Sequence, residues 1–276
     1  MVIFFMKHVS FCHLLLLYTF LGVAPLTLAQ QMLTGEQGEE IKEPDNLIKF
    51  KTHDELLLAG YYSGTEKGPG VLLLHDCASD GASYLQLSQA LADLGIHALA
   101  LDLRGYGYSA NIIYSHDIIK KISKDLSMYQ SEMERISSFW ESDILAAFNY
   151  LQHKIGKEQP ISVVSSGCTA PQAVYLAEKI RIRSLVMITP TFTYMDKEKY
   201  KNLIDLPAYF LSSAHHAESH QVAKELYEWN GDIRSTMQVI KGNNYGDEYF
   251  YAKPYLINNI ALWLKESLSQ PYIQQR

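Results

Sequence analysis

Residues 97–109 read HALALDLRGYGYS, a mostly apolar run over 97–103 followed by a turn that contains two glycines. A continuous apolar run of this kind is typical of a strand buried on both faces of a parallel sheet. The run GVLLLH at 70–75 has the same character. The residues between the two runs follow a helical period at Tyr84, Leu87, Leu91 and Leu94. This part of the chain is therefore predicted to be strand, helix and strand.

The same alternation continues toward the C-terminus. Further strand-like runs occupy 161–165, 184–189, 208–212 and 236–240, with helical periods between them. Residues 47–51 and 55–62 are predicted to form a β-hairpin before the first helix. The pattern predicts one α/β domain over 47–276, a mostly parallel twisted sheet of about eight strands flanked by helices on both faces. Ligands of such sheets bind at the carboxyl ends of the strands.

Residues 111–140 interrupt this alternation and are predicted to be an extra helical insertion or a small lid. A helical period runs over four turns through Ile122, Leu126, Tyr129, Met133 and Ile136. The lysines at 120, 121 and 124 are interpreted as a solvated face of that helix.

The N-terminal segment differs in character from the rest of the chain. Lys7, the apolar run 14–21 and the small residue Ala29 are typical of a cleaved secretory signal peptide over residues 1–29. The alternatives are an uncleaved membrane anchor, because residues 9–29 are nearly long enough to span a bilayer, and a buried first helix. Residues 30–46 are polar and acidic and are predicted to be a linker. The protein is therefore expected to be exported, periplasmic or secreted, and membrane-associated only if the segment stays uncleaved.

The composition excludes some classes of function. The 276 residues carry a formal charge of -6, and no basic stripe of the kind that binds nucleic acid is present. After removal of residues 1–29, Cys77 and Cys168 are the remaining cysteines of the three. No cofactor motif is found, and no cofactor is expected.

Five stretches together resemble the α/β-hydrolase superfamily, closest to its small dienelactone-hydrolase-like members. Residues 101–109 are close to the D-x-R-G-x-G-x-S turn of that family, which is the most specific match. The other four are similar to the strand before the oxyanion loop, the nucleophile elbow, the strand before the catalytic acid and the loop of the catalytic histidine: 71–76, 161–170, 206–211 and 240–246. The resemblance covers residue 47 to about residue 268.

The resemblance implies a catalytic triad in the chain order Ser, acid, His. The residues at those positions here are Gly167, His216 and Tyr245. No G-x-S-x-G occurs, and none of the ten histidines lies beyond position 220, so the last loop lacks a histidine in any register. A tyrosine phenol, with a pKa of about 10, is a poor base near neutral pH. The resemblance therefore implies a degenerate triad, and the expected function is a pseudoenzyme that binds a small ligand or a protein partner.

The alternative is an active serine or cysteine hydrolase of the esterase or dienelactone-hydrolase type. Its relocated nucleophile would be Ser166 or Cys168, next to the nucleophile position. No base partner for either is recognisable in the sequence. Glu218 is close to the acid position but has no histidine to orient.

The oxyanion loop also departs from the family pattern, because Asp76 replaces the glycine of the usual His-Gly. An inward carboxylate opposes acyl transfer, whereas an outward one caps the following helix. By the resemblance, Cys77 and Cys168 correspond to the two residues whose N–H groups form the oxyanion hole. This correspondence implies a disulfide between them; two separate buried thiols are the alternative.

Three histidines remain, at 215, 216 and 220. The spacing of His216 and His220 suits two metal ligands on one helix. No third ligand is indicated nearby, so these residues are interpreted as polar loop histidines and no metal site is predicted.

Overall fold

The computed structural model describes residues 43–64 and 67–270. The predicted signal peptide at 1–29 lies outside these residues, as does most of the predicted linker at 30–46. From Asp45 onward the chain forms one compact unit, and this unit contains the sheet and both apolar layers described below. It therefore carries its own hydrophobic core and is able to fold by itself.

Eight strands form a single sheet in the order β1-β2-β4-β3-β5-β6-β7-β8. β2 is antiparallel to both β1 and β4, and every other pair is parallel. The predicted fold class is confirmed. The strands are β1 Leu47–Lys51, β2 Leu57–Ser63, β3 Gly70–Leu74, β4 His97–Leu101, β5 Ile161–Ser166, β6 Leu185–Ile188, β7 Ala208–Ser213 and β8 Thr236–Ile240.

The register of the central strands fixes where the loops meet. Leu74 of β3 lies opposite Ser165 of β5, so both strands end at the same level. Residues 76 and 167, each two positions further on, therefore leave the sheet side by side. The carboxyl ends of the strands are where parallel sheets bind ligands.

Helices cover both faces of the sheet, each with one apolar side against it. Among the described residues, no helix is both long enough and apolar enough to cross a membrane. The α-helices are α1 Leu85–Asp93, α2 His116–Ile122, α3 Leu126–Ser137, α4 Trp140–Ile155, α5 Ala170–Lys179, α6 Tyr194–Tyr200, α7 Ala217–Trp229, α8 Tyr249–Ala252 and α9 Tyr255–Ser269.

The turn after β4 ties several elements together. The Asp102 carboxylate accepts the backbone N–H groups of Gly81 and Tyr108, each at 2.8 Å. Burial raises the pKa of Asp102 to about 6. Gly107 has φ +45°, and a Cβ there would lie 2.4 Å from the Asp102 carboxylate, so the turn requires glycine.

Arg104 of the same turn is fully buried and forms ion pairs with two aspartates. Its guanidinium donates to both carboxylate oxygens of Asp143, at 2.7 and 3.0 Å, and to both of Asp54, at 2.9 and 3.1 Å. It also lies over the ring of Phe139, 4.2 Å from the centroid. Because the charge is compensated on both sides, this arginine can occupy the interior.

Two sequence predictions are wrong in detail. The four-turn helix predicted through 122–136 is divided: α2 ends at Ile122 and α3 begins at Leu126. Asp125 has an extended backbone and accepts the N–H of Met128, so it starts a new helix instead of continuing the old one. The second hairpin strand begins at Leu57, because Glu55 has φ +63°, which is incompatible with a strand.

The insertion is attached to the oxyanion loop through an aromatic side chain. The ring of Tyr106 stacks on His116, the first residue of α2, with 4.8 Å between the ring centroids. The Tyr106 hydroxyl donates to the carbonyl of Cys77 at 3.1 Å. The insertion therefore contacts the oxyanion loop at the carboxyl end of the strands, where the candidate site lies.

Candidate functional site

The loop between β5 and α5 has the shape of a nucleophile elbow. The chain leaves the strand at Ser166 and turns sharply at Gly167, which has φ +50°. A short 3-10 turn, Gly167–Thr169, then leads into α5. The left-handed conformation at residue 167 favours glycine, and glycine is the residue present.

The structure brings Gly167, His216 and Tyr245 together. A Cβ on Gly167 would lie 2.9 Å from Cε1 of Tyr245. The rings of His216 and Tyr245 meet edge to face, with 5.2 Å between their centroids. The positions that the resemblance assigned to nucleophile, acid and base are therefore neighbours.

The chemistry of Tyr245 and His216 differs from that of an acid and a base. The Tyr245 hydroxyl lies 2.5 Å from Oγ1 of Thr191, and burial raises the pKa of this phenol. Nε2 of His216 lies 3.0 Å from the carbonyl oxygen of Asn243 and 2.9 Å from that of Asn244, so this nitrogen carries a proton and donates it to them. Nε2 of His216 is thus engaged with two backbone carbonyls, and Tyr245 is a phenol where the family pattern has an imidazole base.

The side chain of Asp76 points inward, into the space that a side chain at position 167 would occupy. A Cβ on Gly167 would lie 1.8 Å from Oδ2 of Asp76, so the two cannot coexist in this arrangement. The same Oδ2 accepts the backbone N–H of Cys168 at 3.4 Å. In the family this N–H belongs to the oxyanion hole. The other oxygen, Oδ1, accepts the N–H of Ala78 at 2.9 Å, which holds the side chain in place.

A second buried carboxylate stands behind Asp76. Asp247 accepts the N–H of Asp76 at 3.3 Å and the hydroxyls of Ser79 and Ser83 at 2.6 and 2.8 Å. Burial, followed by the charge of Asp247, raises the pKa of Asp76. The position that the resemblance assigned to the oxyanion hole is occupied by the Asp76 carboxyl group of the chain itself.

Cys77 and Cys168 form a disulfide, with 6.0 Å between their Cα atoms. The predicted bond is present, and it joins the two loops that would supply the oxyanion-hole N–H groups. The proposal of Cys168 as a relocated nucleophile is corrected by this bond, because a sulfur in a disulfide is not a thiolate.

Ser166, the other relocated nucleophile considered, is fully buried. Its Oγ lies 2.5 Å from the hydroxyl of Tyr84. Burial raises the pKa of Tyr84 well above its usual range, so this phenol is not a base at neutral pH. Ser166 has no activating partner in this arrangement.

His75 is a structural residue of the oxyanion loop. Its Nδ1 lies 2.7 Å from the carbonyl of Asp76, and its Nε2 accepts the N–H of Leu103 at 3.2 Å. The proton is therefore on Nδ1. Burial lowers the pKa of this imidazole, so it is neutral. Both nitrogens are used, and their bonds fix the backbone of Asp76.

A small open cavity of about 190 Å³ lies beside the degenerate triad. Its lining combines hydroxyl groups, an imidazole and one carboxylate: Thr191, His216, Ala217, Glu218, Ser219 and Tyr245. A larger groove of about 820 Å³ lies at the opposite, amino end of the strands, next to Pro207 and Thr236. The small cavity is the one that is lined by His216 and Tyr245.

The structure shows no convergence of the three histidines on a metal site. Nδ1 of His220 lies 3.0 Å from Oγ of Ser212. Within residues 43–64 and 67–270, no three His, Cys, Asp or Glu side chains are placed to hold a metal ion.

Three residues of the site were missed from the sequence: Tyr84, Thr191 and Asp247. Tyr84 fitted the apolar face of a helix, and nothing in its spacing indicates a hydrogen bond to Ser166. Asp247 stands two residues after the position of the missing histidine, and that proximity was the available signal.

Several solved structures have the same architecture. An esterase from Pyrococcus furiosus has a TM-score of 0.59 and 14% identity, over 81% of this chain and 91% of the other. A dienelactone hydrolase from Anabaena variabilis has a TM-score of 0.57 and 12% identity, over 80% and 96%. A cold-adapted esterase from an Arctic intertidal metagenomic library has a TM-score of 0.55 and 16% identity, over 83% and 97%.

These likenesses establish that the chain has the α/β-hydrolase fold. At such low identities they concern the fold alone. Comparison of the sequence with models of protein families and with curated proteins gives no match.

Proposed function

We propose that this chain is a catalytically silent α/β-hydrolase-like protein that is exported and binds a small ligand or a protein partner. The position of Asp76 is the observation that carries this proposal. Its carboxylate occupies the volume of a nucleophile side chain at residue 167 and accepts the N–H of Cys168. Acyl transfer needs that N–H for the negative charge that develops on the substrate.

The absence of acid–base partners at the site supports the same conclusion. Nε2 of His216 donates to two carbonyl groups, and Tyr245 is a phenol with a raised pKa. Ser166 contacts another phenol, Tyr84. A hydroxyl nucleophile without a base is weak, so the geometry favours binding over turnover.

The cavity beside Tyr245 supports the binding part of the proposal. It offers hydroxyl groups, an imidazole and the Glu218 carboxylate at the edge of the sheet. A volume of about 190 Å³ suits a small functional group or one side chain of a partner. Export is supported by the signal-like N-terminal sequence and by the disulfide, which is typical of oxidising compartments.

The first test measures activity directly. The protein is assayed with short-chain p-nitrophenyl esters and labelled with a fluorophosphonate and with iodoacetamide. We expect no turnover above that of a Gly167→Ala control and no labelling of the folded protein. Turnover of about one per second or more that disappears in Ser166→Ala would overturn the proposal.

The second test restores the triad. The triple variant Gly167→Ser, His216→Asp, Tyr245→His is expected to stay inactive, because the new serine meets Asp76. Adding Asp76→Gly clears that volume and frees the N–H of Cys168, so esterase activity is expected in the quadruple variant. Triad members act as a unit, so the gain is expected to be non-additive. A triple variant as active as the quadruple one would show that Asp76 does not block the site.

The binding part is tested by native mass spectrometry of the protein purified from its own host. A co-purified molecule that is lost in Thr191→Val, Tyr245→Phe supports a ligand at this cavity. A molecule retained in that variant would locate binding elsewhere.

A further inference from the structure

The insertion at 111–140 exposes an unusual set of apolar side chains. Four of the five exposed isoleucines among the described residues lie within its first part, at 112, 113, 118 and 122. Ile112 is 90% exposed and Ile113 is 65% exposed, and Leu126 follows at 68%. Isolated exposed apolar residues are ordinary, but a cluster of this kind indicates an interaction surface. We call residues 112–126 the isoleucine surface.

The tip of the isoleucine surface is held in a defined turn. The side-chain oxygen of Asn111 accepts the N–H groups of Ile113 and Tyr114, each at 2.9 Å. The N–H of Asn111 donates to the carbonyl of Tyr114 at 2.8 Å. The exposed position of Ile112 and Ile113 is therefore a consequence of the fold.

The helix that follows repeats the same chemistry. Ile118 and Ile122 are four residues apart in α2, so they share one face, while Ile119 is buried against the domain. Lys121 lies next to this face of α2, and Lys124 follows the end of the helix; both are exposed. Residues 112–126 contain three lysines and two aspartates, whereas the whole chain has a formal charge of -6. The isoleucine surface is thus locally cationic on an acidic protein.

We propose that the isoleucine surface docks this protein on an anionic lipid bilayer. Branched aliphatic side chains flanked by lysines are the pattern of a surface that lies in the headgroup region. Lysine is depleted from protein–protein interfaces, which favour aromatic residues and arginine, so a protein partner fits less well. Each lysine near an anionic leaflet strengthens binding roughly five-fold. This proposal goes beyond ligand binding at the degenerate triad and does not depend on it.

The isoleucine surface is in contact with the loop that carries Asp76. His116 at the start of α2 stacks on Tyr106, whose hydroxyl donates to the carbonyl of Cys77. The candidate site is therefore linked to the isoleucine surface through two direct contacts.

The test uses residues 30–276, because the unit from Asp45 onward holds its own core and the apolar run at 14–21 would itself bind lipid. Co-flotation is measured with vesicles of phosphatidylcholine containing 30% phosphatidylglycerol and with pure phosphatidylcholine. We expect binding to the anionic vesicles alone, weakened by raising NaCl from 50 to 500 mM.

Two pairs of variants locate the contact. Ile112→Ser/Ile113→Ser and Lys121→Gln/Lys124→Gln are each expected to weaken vesicle binding about ten-fold or more. The matched controls are Ile233→Ser/Leu262→Ser and Lys157→Gln/Lys265→Gln, which change equally exposed residues elsewhere and should bind like the parent. Near-identical circular dichroism spectra and thermal midpoints establish that all variants are folded.

Three results would overturn the proposal. The parent protein fails to float with anionic vesicles, or the controls lose as much binding as the surface variants. The third is a concentration-dependent dimer that Ile112→Ser/Ile113→Ser abolishes, because the isoleucine surface would then be covered by a second copy of this chain.

Discussion

Two glycine turns in this domain are built alike and differ in what they do. Gly107, in the turn after β4, and Gly167, in the turn after β5, have φ values of +45° and +50°. In each, a Cβ would collide with an aspartate carboxylate, Asp102 at 2.4 Å and Asp76 at 1.8 Å. The first turn matches the α/β-hydrolase pattern in full, whereas the second has glycine at the position where that pattern has serine.

The difference lies in the partners of each turn. Asp102 accepts two N–H groups of the chain, and Arg104 beside it pairs with two aspartates, so this turn holds the domain together. The partner of an elbow serine in the family is a substrate, which lies outside the chain. At Gly167 the corresponding space is occupied by Asp76. A structural residue of a motif therefore has its partners within the chain, whereas a catalytic residue has its partner in the substrate.

The largest expected effect is on the intact turn. Arg104→Met removes one member of a buried ionic cluster and leaves Asp143 without its counter-charge, so the free energy of unfolding should fall by about 3–5 kcal/mol. Arg135→Met is the matched control, because Arg135 forms an exposed ion pair with Glu132 and its loss should cost less than about 1 kcal/mol. Urea denaturation measures both. Equal effects of the two variants would contradict the structural role given to the turn.

The second effect concerns the disulfide that fastens the altered elbow. Cys77 and Cys168 are 91 residues apart, and a closed loop of this length restricts the unfolded chain. Cys77→Ser/Cys168→Ser is expected to lower the free energy of unfolding by about 2–4 kcal/mol. The wild-type protein in reducing buffer should behave like the variant. If denaturation of the wild type is unchanged by reductant while peptide mapping shows both thiols free, the bond does not stabilise the domain.

The third effect compares the glycines directly. Gly167→Ala should destabilise the protein by about 2 kcal/mol, because alanine is strained at this φ and its Cβ meets Asp76. In an Asp76→Gly background the collision disappears and the cost should drop by about 1 kcal/mol, a coupling that a double-mutant cycle measures. Strict additivity of the two changes would show that Asp76 moves aside freely. Gly107→Ala, facing the doubly bonded Asp102, should cost more than Gly167→Ala.

The sheet was predictable because buried parallel strands are continuous apolar runs, and 70–75 and 97–101 show this without ambiguity. The division between α2 and α3 was not predictable, because the apolar period continues across residues 123–125. The new helix begins there because the side chain of Asp125 accepts the N–H of Met128. The resemblance to the α/β-hydrolase motifs located Gly167, His216 and Tyr245, which follow β5, β7 and β8 at the same end of the sheet.

The direction of the Asp76 side chain was left open by the sequence, with an inward and an outward orientation in balance. The Asp76 carboxylate accepts two hydrogen bonds that decide it, one from the N–H of Ala78 and one from the N–H of Cys168, in the turn after β5 about ninety residues away. The second of these depends on tertiary contacts that local pattern does not encode. For the same reason the contact between Tyr84 and Ser166 was not foreseen.

The smallest effect is a pH dependence within the intact turn. The hydrogen bonds from Arg104 lower the pKa of Asp54 from 3.8 to about 2. Because the folded-state pKa lies below the unfolded one, the stabilisation is present above pH 4 and is lost as the pH falls from about 4 toward 2. The side chain of Asp54 is 32% exposed, so solvent screening reduces its contribution to about 1 kcal/mol.

Urea denaturation of the wild type and Asp54→Asn, measured between pH 3 and pH 7, checks this dependence. The gap in unfolding free energy between the two should be constant above pH 5 and should narrow toward pH 3. In an Arg104→Met background the main partner that lowers the pKa of Asp54 is gone and the weaker hydrogen bond from Thr52 remains, so the gap should vary much less with pH. A gap in unfolding free energy that stays constant down to pH 3 in the wild-type background would mean that Arg104 does not bind Asp54. Asp143 would then be the only acidic partner of Arg104 among the described residues.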